Sequence, residues 1–409
     1  MLNLKMSRIL IAGAAFTFLL PLSATAQWPG WRGPERNGRS ADTSLLRQWP
    51  EDGPPLAWKA EDIGHGWSIV AVADGTIYTT GDADEELQIT AITLAGERRW
   101  WMTHDKAWTG PVPGARATPT IDGQRLYLLS GNGVVGCRLV HDGTLIWERR
   151  LQEFGGKVPH WGYSASVLIH DELAIVVPGG DQCVVALDKI TGKKRWATQG
   201  YSAGAEYCSP ILISHPAGDF VVAATKSGLL GVDVADGSVL WTNSYSTGSG
   251  INAATPVYAD AHVFWPNGFT KGAVCLKIAD DRSVKQVWQT EVDRECHLGD
   301  FIADGGYLFG HHDRAWKCFE IATGKELWAS DALGTGAVCY ADGMLYLFQE
   351  RRGIAALATC SPEGLEIRGK AQVEGDGPSW AHPVVAGGRL YLRYSTTLYC
   401  FDVRLKIED

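Results

Sequence analysis

Aromatic, histidine and oxygen-bearing side chains recur in short clusters along this chain: His65 and Trp67; Trp108; His160, Trp161 and Tyr163; Glu206 and Tyr207; Asn252; His297 and Asp300; Trp380 and His382. None of these is a motif alone. Brought together they would give flat aromatic walls with a few converging polar groups, which is what a small-ligand or peptide site requires. The competing reading is that they satisfy loop backbone and pack neighbouring elements. Other groupings carry less chemistry. His311 and His312 are adjacent, and neighbours on a strand point to opposite faces, so they are expected to be solvated hairpin residues rather than a metal pair. Gly162-Tyr163-Ser164-Ala165-Ser166 has the wrong spacing for a nucleophile elbow. The nine cysteines contain no Cys-x-x-Cys pair, which argues against structural zinc.

The elements that would position these clusters are set by a repeat. Trp58, Trp100, Trp147, Trp196, Trp241, Trp288 and Trp328 follow one another at intervals of 40 to 49 residues. Gly96, Gly143, Gly192, Gly237 and Gly324 each stand four residues before one of them. Six residues earlier comes a small or short side chain: Thr90, Cys137, Ala186, Gly231 or Cys318. The fullest copy runs from Ala186 to Trp196. Two copies are degenerate: Asp281 and a delayed Trp288 mark one, and Arg368 replaces the tryptophan in the other. Upstream hairpin signals, Asp74-Gly75, Asp122-Gly123, Asp304-Gly305, Asp342-Gly343 and Gly387-Gly388, precede runs of β-formers. Four short strands every ~45 residues predict the blades of a β-propeller.

The count is eight blades. The last unit reaches Cys400-Phe401-Asp402 before its tryptophan is due, and Trp58 sits in an otherwise orphan strand near the start. That strand is expected to complete blade eight and remove the free sheet edges. Residues 1–26 read as a signal peptide: Lys5 and Arg8, the apolar run Ile9 to Leu20, then Ala24-Thr25-Ala26. Residues 27–53 form an extension expected to pack on the propeller, because Trp28 and Trp31 would be costly to expose. Residues 54–409 form the propeller. With 37 Lys+Arg against 46 Asp+Glu, the net charge is −9. An acidic chain without basic runs is a poor nucleic-acid partner. No membrane anchor is expected, since no cysteine follows the apolar run and no later segment is long and apolar. A periplasmic or secreted monomer is expected.

The Ala-x-Asp-x-x-Thr-Gly-x-x-x-Trp pattern at 186–196, with its weaker copies, resembles the repeat of pyrroloquinoline-quinone (PQQ) type propellers. The resemblance covers residues 54–409 and fits better than WD40 or kelch repeats. It implies that the repeated tryptophans pack between blades. It also implies that Cys137, Cys275, Cys318 and Cys400, at one repeat position, are small core residues held too far apart to bond. Two functions are compatible with it. One is an exported non-catalytic binding or scaffold protein similar to BamB-type propellers, with no cofactor and with a protein, peptide or small molecule at the channel mouth. The alternative is a quinoprotein dehydrogenase using PQQ and calcium. By that resemblance Glu206, Asn252 and Asp300 would be the calcium ligands and Asp300 the base. Against the alternative, no two cysteines are adjacent and cations near the links are few: Lys106, Arg116 and Arg294.

Overall fold

A computed structural model describes residues 27–246, 251–267, 272–290, 300–312 and 314–405. The expected signal peptide lies outside these residues. Eight four-stranded antiparallel sheets form the blades of an all-β propeller. The first blade is Ala71–Ala73, Thr76–Ala83, Glu86–Thr93 and Arg98–Lys106, ordered from inner to outer strand. The same order repeats from Thr120–Asp122, Leu168–His170, Ile211–Ile213, Val257–Ala259, Phe301–Asp304 and Gly336–Ala341. In the eighth blade, Val384–Ala386, Arg389–Tyr394 and Thr397–Asp402 come from the end of the chain, and Leu56–Ala60 is the outer strand. Trp58 faces Cys400 in that pairing, so the expected closure holds to the residue.

The repeat spacing has a direct mechanical cause. In blades two to six Trp147 lies opposite Cys137, Trp196 opposite Ala186, Trp241 opposite Gly231, Trp288 opposite Cys275 and Trp328 opposite Cys318. A small residue there leaves room for the indole. Each ring then reaches into the next blade. Trp58 Nε1 donates to Leu94 O at 2.8 Å, Trp147 Nε1 to Lys189 O at 3.0 Å and Trp196 Nε1 to Val234 O at 2.8 Å. The glycine four residues before the next tryptophan lies under the ring. A Cβ on Gly192 would come within 2.6 Å of Trp147, and one on Gly237 within 2.5 Å of Trp196. Both glycines also have positive φ, 68° and 80°, which disfavours any larger residue.

Where the repeat is degenerate, other contacts replace it. With Asp281 in place of the glycine, Arg282 pairs instead with Asp233 of the preceding blade at 2.7 Å. With Arg368 in place of the tryptophan, Trp49 of the N-terminal extension supplies the indole. Its backbone N–H donates to Arg368 O at 2.8 Å, and its ring lies 6.1 Å from Tyr346. The separation from Tyr127 to Trp147 in an intact blade is likewise 6.1 Å.

Several expectations need adjustment. In blade one Trp100 pairs with Ala91, and Thr90 faces Trp101 instead, because the bulge falls after Ala91, one residue later than in the other blades. The sixth hairpin turns at Gly305-Gly306, with Asp304 paired to Tyr307, one residue later than its Asp-Gly signal. His311 and His312 are not solvated: each is 1 % exposed, on a second strand that lies inside the blade stack. Burial depresses the His312 imidazole to about 4, so it is neutral. Cys137, Cys275, Cys318 and Cys400 are buried free thiols, as expected; Cys296 lies outside the described residues.

The extension does more than pack on the propeller: it fills the channel. Trp28 pairs with Val72 in the inner strand of blade one, and Pro29 O accepts from Ile121 N in blade two at 2.7 Å. Arg36 donates to Ser166 O and Val167 O at blade three and to Pro210 O at blade four. Trp31 Nε1 donates to Thr255 Oγ1 at blade five, and Arg32 reaches Phe301 O at blade six. Arg39–Ser40 adds a parallel strand to blade seven, and Asp42 accepts from Gly388 N in blade eight. Gln27 and Arg47 lie by Asp74 and Asp342, in the hairpin turns at the far ends of the inner strands. The segment therefore enters and leaves at one end of the channel as a hairpin whose tip, near Trp31, faces the other.

Candidate functional site

The links from each outer strand to the next inner strand meet at the end the hairpin tip faces. There they enclose a cavity of about 380 Å³ whose lining includes Trp67, Trp161, Tyr207 and Trp380, with Trp31 from the plug. The walls are organised by ring contacts. Trp67 and Trp380 have centroids 4.6 Å apart, and Trp161 and Tyr207 5.8 Å apart in an edge arrangement. Trp67 is pinned by Nε1 donating to Pro378 O at 3.1 Å, and Trp380 by Nε1 donating to Glu350 Oε1 at 2.8 Å. The Trp31 ring lies 4.8 Å from that of His382 at a tilt of 60°, so the plug forms the floor of the pocket.

A repeated hydroxyl slot lies behind the walls. Thr118 Oγ1 accepts from Ile69 N, Ser166 Oγ from Thr118 N, and Ser209 Oγ from Ser166 N, each bond linking one blade to its neighbour. In blade six Asp300 takes this role, with Oδ1 accepting from Thr255 N at 2.7 Å. Its second oxygen, Oδ2, is 2.9 Å from Arg32 Nη1 and 3.5 Å from His382 Nδ1. Arg32 and Asp300 are 1 % and 2 % exposed. Arg32 is also held by the carbonyls of Asn37 and Phe301. Such a pair orients the plug tightly, since either charge alone would be costly to bury. Burial keeps the His382 imidazole down at about 4, hence neutral.

Of the residues expected at the mouth, Trp67, Trp161, Tyr207, Asp300, Trp380 and His382 line the cavity. His65 stands edge-on behind Trp67 at 5.3 Å, and His160 caps Trp161 from the exposed rim at 4.5 Å. Trp108 lies one layer out, with Arg116 over its ring. Tyr163 is turned into the core, 1 % exposed, with Oη donating to Pro178 O at 2.9 Å. Glu206 and Asn252 are brought together behind the wall: Asn252 N donates to Glu206 Oε2 at 2.9 Å. Glu206 is 3 % exposed, and burial pushes its carboxyl up to about 8. His297 and Arg294 lie outside the described residues. Sequence reasoning did not place Trp31 or Arg32 in the site; a Trp-Arg pair among glycines and prolines was the only signal.

The calcium set of the alternative quinoprotein reading, Glu206, Asn252 and Asp300, does not fit a cation in this arrangement. Asp300 already has Arg32 as its counter-ion, so a divalent cation there would have to displace a buried guanidinium. Among the described residues no group of three or more His, Cys, Asp or Glu is arranged to hold a metal ion.

Comparison with known proteins agrees with this architecture. Residues 83–329 match the family model described as outer membrane protein assembly factor BamB. The chain belongs to that family. BamB from Moraxella catarrhalis superimposes with a TM-score of 0.64 at 14 % identity, over 87 % of this chain and 99 % of that one. The quinohemoprotein alcohol dehydrogenase of Comamonas testosteroni gives 0.54 at 12 % identity, over 94 % and 81 %. The computationally designed protein Ika8 gives 0.59 at 11 % identity, over 85 % and 100 %. At these identities the likeness is one of fold. No curated protein sequence matches the chain. No helix among the described residues is long and apolar enough to cross a membrane.

Proposed function

We propose that this BamB-family propeller is an exported, non-catalytic binding protein that holds a peptide or small ligand in the aromatic cavity at its channel mouth. The observation that carries this is the cavity of about 380 Å³, walled by link tryptophans and floored by Trp31. That volume is within the range of drug-sized ligand sites, and the aromatic lining with few polar groups matches their composition. A periplasmic or secreted location fits the signal-like residues 1–26 and the BamB family.

A non-catalytic role is favoured over PQQ-dependent dehydrogenation by Asp300. The residue that would serve as base takes a hydroxyl slot of the ring and pairs with Arg32. Two measurements test the reading. Ligand-observed NMR with a panel of aromatic fragments and short peptides should show hits that weaken in Trp161→Ala. Incubation with PQQ and Ca²⁺ should give no quinone absorption change and no dye reduction with alcohols or aldoses. Robust turnover lost in both Glu206→Gln and Asp300→Asn would establish the dehydrogenase instead.

A further inference from the structure

We infer that the cavity takes a flat, apolar molecule carrying a single anionic group, and that Arg116 is the residue that meets the charge. This rests on the cavity being a binding site and adds the chemistry of what it binds.

The argument is an inventory of charge around the lining. Asp300 is cancelled by Arg32 at 2.9 Å. The buried His382 imidazole is neutral. The Glu206 carboxyl behind the wall, pushed up to about 8, is mostly protonated at neutral pH. Arg116 is left. Among the described residues no carboxylate lies within ion-pairing distance of it. Asp82 shares a small side pocket with Arg116 and its field favours the charged guanidinium, but it forms no ion pair with Arg116 and is shared with the buried Arg393. Arg116 is therefore the charged guanidinium on the cavity lining that has no paired carboxylate. Burial lowers the Arg116 guanidinium only to about 10, so it stays charged. It is also held in place: its terminal nitrogens donate to the carbonyls of Pro111, Val112 and Gly114. A guanidinium has five N–H donors, so capacity remains for a ligand.

Geometry sets the shape of the partner. The guanidinium carbon lies 5.5 Å from the Trp67 ring centroid and 5.6 Å from that of Trp108. The cation is thus stationed at the edge of a tryptophan wall. A planar body against that wall would bring a carboxylate on a short arm to Arg116. An aromatic box can also hold a cation through its ring faces. Here Arg116 already lies over one of the lining rings and would repel a second positive charge. A neutral polyol would want several converging hydrogen-bonding groups, whereas the lining is mainly tryptophan, tyrosine and aliphatic.

The test uses the protein without residues 1–26 and three probes on one indole-ethyl frame in isothermal titration: indole-3-propionate, indole-3-propionamide and tryptamine. The propionate should bind at least ~10-fold more tightly than the amide, the scale of one charge-assisted hydrogen bond, with tryptamine weakest. Arg116→Gln should bring the propionate down to the affinity of the amide, and Arg116→Lys should retain the preference. Equal binding of propionate and amide to the parent chain would overturn the inference while leaving the cavity a binding site. Failure of all three probes to bind would count against the cavity reading itself. Stronger binding of tryptamine would reverse the assigned charge.

Discussion

The blades and the plug of this propeller are stabilised in opposite ways. Five of the eight blade junctions repeat one contact, a tryptophan over the next blade's glycine, so that the same small interaction recurs around the ring. The plug makes each contact once: Arg36 at blades three and four, Trp31 at five, Arg32 at six, and the backbone of Arg39 at seven. The repeat is tolerant because a degenerate copy can be patched, as Trp49 and Arg282 do. The plug has no second copy to fall back on. Architecture therefore resides in the periodic residues, while the floor and charge of the cavity reside in the aperiodic ones.

Breaking the ring should have the largest effect. Deleting Gly53 to Ala60 removes the strand that pairs Trp58 with Cys400 and leaves blade eight with an open edge. The expected result is insoluble expression or a large fall in Tm. A deletion variant that melts with the parent would show that closure contributes little.

Single tryptophans come next and compare the two regions directly. Trp196→Ala should cost about 3–5 kcal/mol in denaturant unfolding, as a large buried ring leaves a cavity between blades. Trp161→Ala, half-exposed on the cavity wall, should cost much less and act on ligand binding. Trp67 is not the cheap substitution that its place in a link suggests. It is 8 % exposed and in tilted ring contact with Trp380, so Trp67→Ala should fall between the two. A reversed ranking would mean that the mouth, not the blade stack, holds the fold together.

The plug gives the sharpest form of the comparison. Arg32→Met should strand Asp300 as a buried charge and cost about 3–5 kcal/mol, whereas Arg32→Met with Asp300→Asn should recover most of the loss. Additive losses in the double variant would show that the pair is not the anchor of the plug.

How much of this the sequence disclosed follows the same division. Periodicity is a local signal: Gly192 and Trp196 are four residues apart, and their spacing recurs. The blade count, the closing strand and the packing role of the tryptophans could be read from it. The ion pair of Arg32 with Asp300 joins residues 268 positions apart and occurs once, so no pattern announces it. Six mouth residues were legible because the links carry them there whatever their neighbours do. Tyr163 departs from this rule because its ring turns into the core. Polar residues ordinarily mark solvent, whereas His311 and His312 end a strand that lies inside the stack.

The last effect concerns pH, and it separates the buried carboxyl from the buried imidazole. Glu206 has its folded value raised to about 8, chiefly by burial, from an ordinary 4.5. The unfolded chain releases that proton at lower pH than the folded one. Stability from this group is therefore complete below about 4.5 and is lost as pH rises towards 8, by no more than about 1.4 kcal/mol per pH unit. His382 works the other way. Its folded value is depressed to about 4 from 6.5, so its contribution is complete above 6.5 and is lost as pH falls towards 4. Urea midpoints measured between pH 5 and 8 should thus decline on the alkaline side for the parent chain. Glu206→Gln has no proton to lose and keeps the hydrogen-bond acceptor that Asn252 N needs. It should flatten the alkaline decline and leave the acid limb unchanged. A decline of equal slope in Glu206→Gln would mean that another group drives it and that Glu206 is ionised in the folded protein. An ionised Glu206 would add a negative charge behind the wall and weaken the preference for an anion at Arg116. The pH profile and the probe titration therefore test the same charge inventory from opposite sides.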